Sequence, residues 1–277
     1  MTTVAGNQTL AKTTANAIRV LEAAGHGHVP VAAGAERPLV REPAAAPAVH
    51  GESGLDGPAL APPRASAVER HAVDFLAEAV FASTEAITLV PLGPLTNVAL
   101  LLARHPGAAE RIERVVLMGG AIAEGNVTPA AEFNVWADPE AARRVFDSGL
   151  DVTMVGLDVT HRALVAPEHA ERLRAGGSMG RLVAELLDFY GRFHADVYGF
   201  AGSPIHDAVA VAHVAVPGLL ETAHRHVAIE CASELCRGRT VVDLWRRTGH
   251  EPNAHVAVGI DGERFVELLI ERVGSLG

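Results

Sequence analysis

Short apolar runs separated by helix-patterned stretches recur along this chain, and that alternation limits the folds open to it. Residues 87–92, 115–118 and 152–157 have the length and composition of buried strands, with segments of helical spacing between them. Such alternation predicts an α/β fold, an open and mainly parallel sheet flanked by helices. With 277 residues, 49% hydrophobic and 20% charged, the chain suffices for one large domain with a substantial core, expected to span residues 1–277. Aromatic residues make up only 4%, so alanine, valine and leucine must fill most of that core.

Local signals place the elements. Leu10, Ala17, Ile18 and Leu21 share a helical face, and Gly25 is suited to end that helix. Residues 30–34 read as a short buried strand, and residues 42–63, rich in Ala, Pro and Gly, as an irregular loop. Ser66-Ala67-Val68-Glu69 has the pattern of a capping box and predicts a helix with Phe75 and Leu76 on its inner face. Thr96 or Asn97 is expected to start a helix that Pro106 stops. Asp138-Pro139-Glu140 combines a capping acid, a proline at the first helical position and an acid in the first turn. Residues 181–193 and 207–216 read as helices, residues 227–230, 240–244 and 255–258 as short strands, and Asp261 as the cap of a last helix.

Composition also excludes functions. A net charge of −10 argues against nucleic acid as a partner, since phosphate binding needs a positive surface. Cys231 and Cys236, the only two cysteines, are too few for a zinc site and read as reduced packing residues. No signal peptide or long apolar span is visible, so no membrane association is expected, and the cytoplasm is the default compartment. No Gly-x-Gly-x-x-Gly follows an early strand, which speaks against a dinucleotide enzyme.

Polar residues cluster where strands end and helices begin, the edge at which open α/β sheets bind ligands. Asn7 follows residues 2–5; Thr96 and Asn97 follow residues 87–92; Asn126, Glu132 and Asn134 follow residues 115–118; His206-Asp207 opens a helix. Taken singly, each reads equally well as a cap, a turn or a solvated surface residue. Phe189, Tyr190, Phe193 and Tyr198 could stack on a base, with helix-core packing as the alternative.

Thr2-Thr3-Val4-Ala5-Gly6-Asn7, Gly93-Pro94-Leu95-Thr96-Asn97, Met118-Gly119-Gly120-Ala121, Ala131-Glu132-Phe133-Asn134 and His206-Asp207-Ala208 stand in one order along nearly the whole chain. In that order and approximate spacing the chain resembles the inosine–uridine-preferring nucleoside hydrolase family. The resemblance implies a Rossmann-like nucleoside hydrolase fold and a calcium-dependent N-ribohydrolase, cleaving purine or pyrimidine nucleosides to ribose and free base with a metal-activated water. It implies Thr96, through its carbonyl, and Asp207 as metal ligands. It makes Asn7, His50, Met118, Asn126, Glu132, Phe133 and Asn134 substrate-binding residues, and His206 and Asp207 catalytic ones. His206, or His50, would donate a proton to the leaving nitrogen. A homo-oligomer, dimer or tetramer, is implied as well.

The family's Asp-x-Asp-x-Gly-x-Asp-Asp motif does not occur in this sequence. The resemblance therefore implies a truncated chain, without the first strand–helix unit, with impaired activity and most carboxylate metal ligands missing. Loss of an internal strand is expected to leave neighbouring strand edges open and the polypeptide prone to aggregate. The alternatives are a non-catalytic ribose- or nucleoside-binding remnant and a structural subunit completing another chain's sheet.

Overall fold

The computed structural model describes residues 1–276. The first half runs β1 (Thr2–Thr3), α1 (Leu10–Ala23), β2 (Ala32–Ala33), α2 (Pro47–His50), α3 (Ala72–Ala82), β3 (Ile87–Leu89), α4 (Thr96–Arg104) and β4 (Ile112–Met118). There follow α5 (Phe133–Ala137), α6 (Pro139–Phe146), β5 (Val152–Val155), α7 (Leu157–Thr160), β6 (Leu164–Val165), α8 (Pro167–Ala175) and α9 (Ser178–Tyr198). The chain continues with β7 (Ser203–Pro204), α10 (Asp207–Ala215), β8 (Leu220–Arg225), β9 (Val227–Ile229), β10 (Thr240–Val242), β11 (Ala254–Ile260) and α11 (Gly262–Gly274). Among the described residues no helix is long and apolar enough to cross a membrane.

The main sheet has five strands in the order β3-β4-β5-β11-β8. Its first four strands are parallel, with Val115 opposite Val152 and Met118 opposite Val155, while β8 joins the edge antiparallel to β11. Parallel strands are buried on both faces, which is why these runs are apolar without alternation. Along β4 the side chains alternate between two cores. Val115 and Leu117 pack with Leu101, Phe146 and Val73; Val116 and Met118 pack with Leu157, Val209 and Phe265. Burying one such Leu or Phe side chain contributes about 1.5–3 kcal/mol.

Two expectations are corrected. The capping-box helix does not begin at Ser66: α3 starts six residues after it, capped by His71, whose Nδ1 accepts from Val73 N at 3.2 Å. Val68 instead bridges β2, its N–H donating to Val31 O at 2.8 Å, so strand pairing overrides the local cap pattern. The loop at residues 42–63 contains the single turn of α2, with Pro47 at its first position. β8 escaped the sequence reading because Leu-Glu-Thr-Ala-His-Arg is largely exposed at a sheet edge and carries no apolar run. The Asp138 and Asp261 caps form as read, with Asp138 Oδ1 accepting from Ala141 N and Asp261 Oδ1 from Arg264 N, each at 3.1 Å.

β1 and β2 make a separate parallel pair, Thr2 opposite Ala32. Among the described residues β1 pairs with no other strand and β3 only with β4, so each presents one unpaired edge. Asn97, at the start of α4, ties the small sheet to that helix. Its Oδ1 accepts from Ala35 N at 2.9 Å and its Nδ2 donates to Thr3 O at 2.8 Å, all within a buried site. Replacing Asn97 by alanine orphans one donor and one acceptor, each worth about 1–3 kcal/mol when buried. Asn97→Ala should therefore lower stability by about 2–4 kcal/mol in urea unfolding. An unchanged midpoint would show that the link carries no stability.

Candidate active site

The carboxyl ends of the parallel strands open into a cavity of about 620 Å³, within the range of small-molecule sites. Asn7, His50, Met118, Asn126, Glu132, Phe133, Asn134, His206 and Asp207 all line it. Thr96 does not. It is the first residue of α4, 2% exposed, and its hydroxyl donates to Asp138 Oδ2 at 2.6 Å. The Gly93-Pro94 turn separates two positions: Leu92 lines the cavity, while Thr96 is carried behind it into the helix. Leu92 O accepts from Asn134 Nδ2 at 3.4 Å, and both residues line the cavity.

Glu132 organises one end of this cavity. β4 ends at Met118, and the chain turns at Gly120, whose φ of +75° and whose Cβ position, 2.8 Å from Thr240 Cγ2, leave room only for glycine. The Gly120 N–H then donates to Glu132 Oε2 at 2.9 Å. Glu132 also caps α5: Oε1 accepts from Asn134 N at 2.9 Å and Oε2 from Val135 N at 3.3 Å. Only 3% exposed, it is a buried helix cap and not a solvated loop acid. Burial pushes its carboxyl up to about 7 against the opposing pull of these backbone N–H groups.

The capped helix presents Asn134, whose Nδ2 donates to Met118 O at 3.1 Å. Asn126 is held nearby, its Oδ1 accepting from Phe133 N at 2.9 Å. Asp207, the first residue of α10, has a side chain accessible to the cavity that it lines. The enclosed surroundings, and then the charge of Glu132, raise its carboxyl to about 7.

The opposite wall is aromatic. Helix α9 sends Tyr190, Phe193, His194 and Tyr198 into the cavity at helical spacing. His194 lies 4.2 Å from Tyr190 and 5.7 Å from Tyr198 between ring centroids, and 6.3 Å from His206. His50 sits 5.8 Å from Tyr190, and His161 5.6 Å from His206. Burial holds these imidazoles neutral: His50 is lowered to about 4 and His206 to about 3, each further depressed by neighbouring histidines. Sequence reasoning named Tyr190, Phe193 and Tyr198 but missed His194 and His161, since an isolated histidine in a helix or turn carries no signal of its own.

The sequence model of the inosine–uridine preferring nucleoside hydrolases matches residues 1–267. The chain belongs to this family. Pyrimidine-specific ribonucleoside hydrolase RihA of Shewanella baltica is 51% identical over 98% of this chain and 86% of its own length. The Citrobacter koseri protein of the same name is 49% identical over 99% of this chain and 88% of its own. A purine-preferring ribonucleoside hydrolase from Gardnerella vaginalis superposes with a TM-score of 0.92 at 30% identity, covering 99% of this chain and 89% of that one. A plant nucleoside hydrolase superposes with a TM-score of 0.91 at 32% identity over the same shares.

This nucleoside hydrolase is thus an enzyme of N-glycosidic bond hydrolysis on small nucleosides, on the fold its alternation predicts. Nothing among the relatives favours a non-catalytic binding protein. Nucleoside hydrolases of this family are metal-dependent. Yet among the described residues no three His, Cys, Asp or Glu side chains group closely enough to hold a metal ion. Asp207 and the Leu92 carbonyl fall short of the roughly six to eight oxygens calcium takes, and Glu132 is committed to backbone N–H groups. The residues of this sequence do not by themselves complete a calcium site.

Two outcomes follow from this geometry. Glu132→Ala removes a helix cap and orphans the buried Gly120 N–H, and should cost about 2–4 kcal/mol in denaturant unfolding. A loss below about 0.5 kcal/mol would mean the contacts are not formed. Acid stability should depend on His50. As pH falls below about 6.5 the unfolded chain protonates there, while the folded chain resists until about 4, so His50 makes stability fall on acidification through that window. Glu132 and Asp207, raised in the fold, act with the opposite sign but do so equally with or without His50. His50→Gln should therefore flatten the pH dependence of the urea midpoint between those values, by at most about 1.4 kcal/mol per pH unit. An identical slope would mean that His50 titrates normally.

Proposed function

We propose that this nucleoside hydrolase acts on pyrimidine ribonucleosides, with the ribose at the Asn7–Asn126–Glu132–Asn134 end and the base against the α9 wall. The observation that carries this reading is the division of one cavity into a polar end rich in amides and carboxylates and an aromatic end of neutral rings. A polyol pairs with the first and a flat base with the second. The pyrimidine assignment is supported by relatives at 49–51% identity that are described as pyrimidine-specific, against 30% for a purine-preferring one.

In this reading Asn126 and Asn134 orient the ribose hydroxyls, and the negative Glu132 favours the positive charge that develops on the sugar ring. Met118 and Phe133 shape the sugar end. Asp207 is the cavity carboxylate not taken up by backbone N–H groups, and its position near neutrality suits it to orient water and accept its proton. Water oxygen bonds to the anomeric carbon, and the glycosidic C–N bond breaks with its electron pair going to the base. His206, neutral in its buried setting, hydrogen-bonds to the departing base through a ring N–H, and the base, whose ring lies along His50 and Tyr190, takes its proton from solvent. Calcium is the metal the reading favours, and it enters the assay as an added component. Self-association into a homo-oligomer belongs to the same reading, with Leu235 and Trp245, 86% and 83% exposed, available for contact.

The test is release of free base from uridine, cytidine and inosine, with and without added calcium. Uridine and cytidine should be cleaved at least about 10-fold faster than inosine, and His206→Ala and Asp207→Asn should each lower the rate by about 100-fold or more. Faster inosine cleavage would overturn the base assignment. No release from any of the three would remove the catalytic reading of this cavity.

A further inference from the structure

We infer that Thr160 is a positioning residue for His206, its hydroxyl donating to His206 Nδ1 and holding the imidazole as the Nε2–H tautomer with that N–H facing the cavity. The inference rests on the proposed role of His206 as the hydrogen-bond donor to the departing base.

Thr160 closes the short helix α7, directly after β5, at the carboxyl edge of the parallel sheet. It is fully buried, and its N–H is anchored to Gly156 O at 3.2 Å. Gly156 is itself fixed against the β4 end, where a Cβ would meet Gly120 O at 2.8 Å. The hydroxyl is therefore carried by rigid backbone and not by a loop. Its Oγ1 lies 2.7 Å from His206 Nδ1, and among the described residues this is the hydroxyl's one hydrogen bond.

Direction follows from an accounting of protons. If Nδ1 carried the proton and donated to Oγ1, the hydroxyl's own proton would be left without an acceptor in a buried site. A buried donor without a partner is destabilising. The arrangement that satisfies both groups has Oγ1–H donating and Nδ1 accepting. A neutral imidazole has one donor and one acceptor nitrogen, so an accepting Nδ1 leaves the proton on Nε2. Among the described residues Nε2 has no hydrogen-bond partner, and His206 lines the cavity. The ring is bounded by His161 at 5.6 Å and Tyr190 at 6.5 Å, neither of which bonds to it. The Thr160 hydroxyl is thus the one polar contact that sets which edge of His206 meets the substrate.

The primary test needs no turnover. In the whole chain labelled with 15N at histidine, and with the resonance assigned by its loss in His206→Gln, Nε2 should appear as the protonated nitrogen. Nδ1 should appear as an unprotonated nitrogen accepting a hydrogen bond. Thr160→Val should shift Nδ1 to the position of a free acceptor or produce both tautomers, and Thr160→Ser should restore the wild-type pattern. A proton on Nδ1 in the wild type, or identical spectra for wild type and Thr160→Val, would overturn the inference.

A kinetic arm separates positioning from general damage. Thr160→Val should slow base release from uridine by about 10-fold or more, while p-nitrophenyl riboside, whose leaving group needs no proton, changes by less than about twofold. Equal losses on both substrates would overturn the positioning role. A wild-type chain that turns over neither substrate would count against the catalytic reading alone, and the nitrogen spectrum would still decide for or against Thr160.

Discussion

The site depends on one buried carboxylate. Glu132 gathers N–H groups from the turn after β4 and from the first turn of α5 onto its two oxygens. That contact fixes the strand end against the helix start, and with them Asn134, Phe133 and Asn126. It also leaves a negative charge close enough to Asp207 to raise its affinity for a proton. One residue therefore caps a helix, closes a turn and sets the electrostatics of the polar end of the cavity. Each of these uses follows from placing an acceptor-only group at a helix amino terminus inside a low-dielectric core.

The other end of the cavity follows a different rule. Four histidines there are held neutral by burial, and His50, His161 and His206 are lowered further by neighbouring histidines. A neutral imidazole offers a donor and an acceptor at once, which suits contact with a base better than a fixed charge would. The cavity thus separates a polar, anionic pole from an aromatic, uncharged one, matching the two halves of a nucleoside. The incomplete set of metal donors falls at the polar pole, where Asp207 is the carboxylate not taken up by backbone N–H groups.

Where the sequence misled, neighbours in space were responsible. Ser66 to Glu69 satisfies every local requirement of a helix start, yet Val68 gains more by bridging to β2. Thr96 has a motif around it, but the turn at Gly93-Pro94 carries it into a helix and leaves Leu92 at the cavity. Glu132 was legible as a site residue, but not as a cap, because its Gly120 contact joins two segments across a turn. His194 sits four residues from Tyr190 and from Tyr198 on one helical stripe, a pattern shared by ordinary core packing.

By itself the sequence determined the alternation of strands and helices, the parallel sheet that this requires, and the ordered motifs that mark a nucleoside hydrolase. These rest on local periodicity and on side-chain identity, both written along the chain. Only the tertiary structure decided which residue around the Gly93-Pro94 turn lines the cavity, which carboxylate is spent on N–H groups and which remains free, and which hydroxyl lies against His206. Those outcomes depend on the direction of groups brought together from distant segments, and backbone atoms are the same in every residue, so no pattern of residue types encodes them.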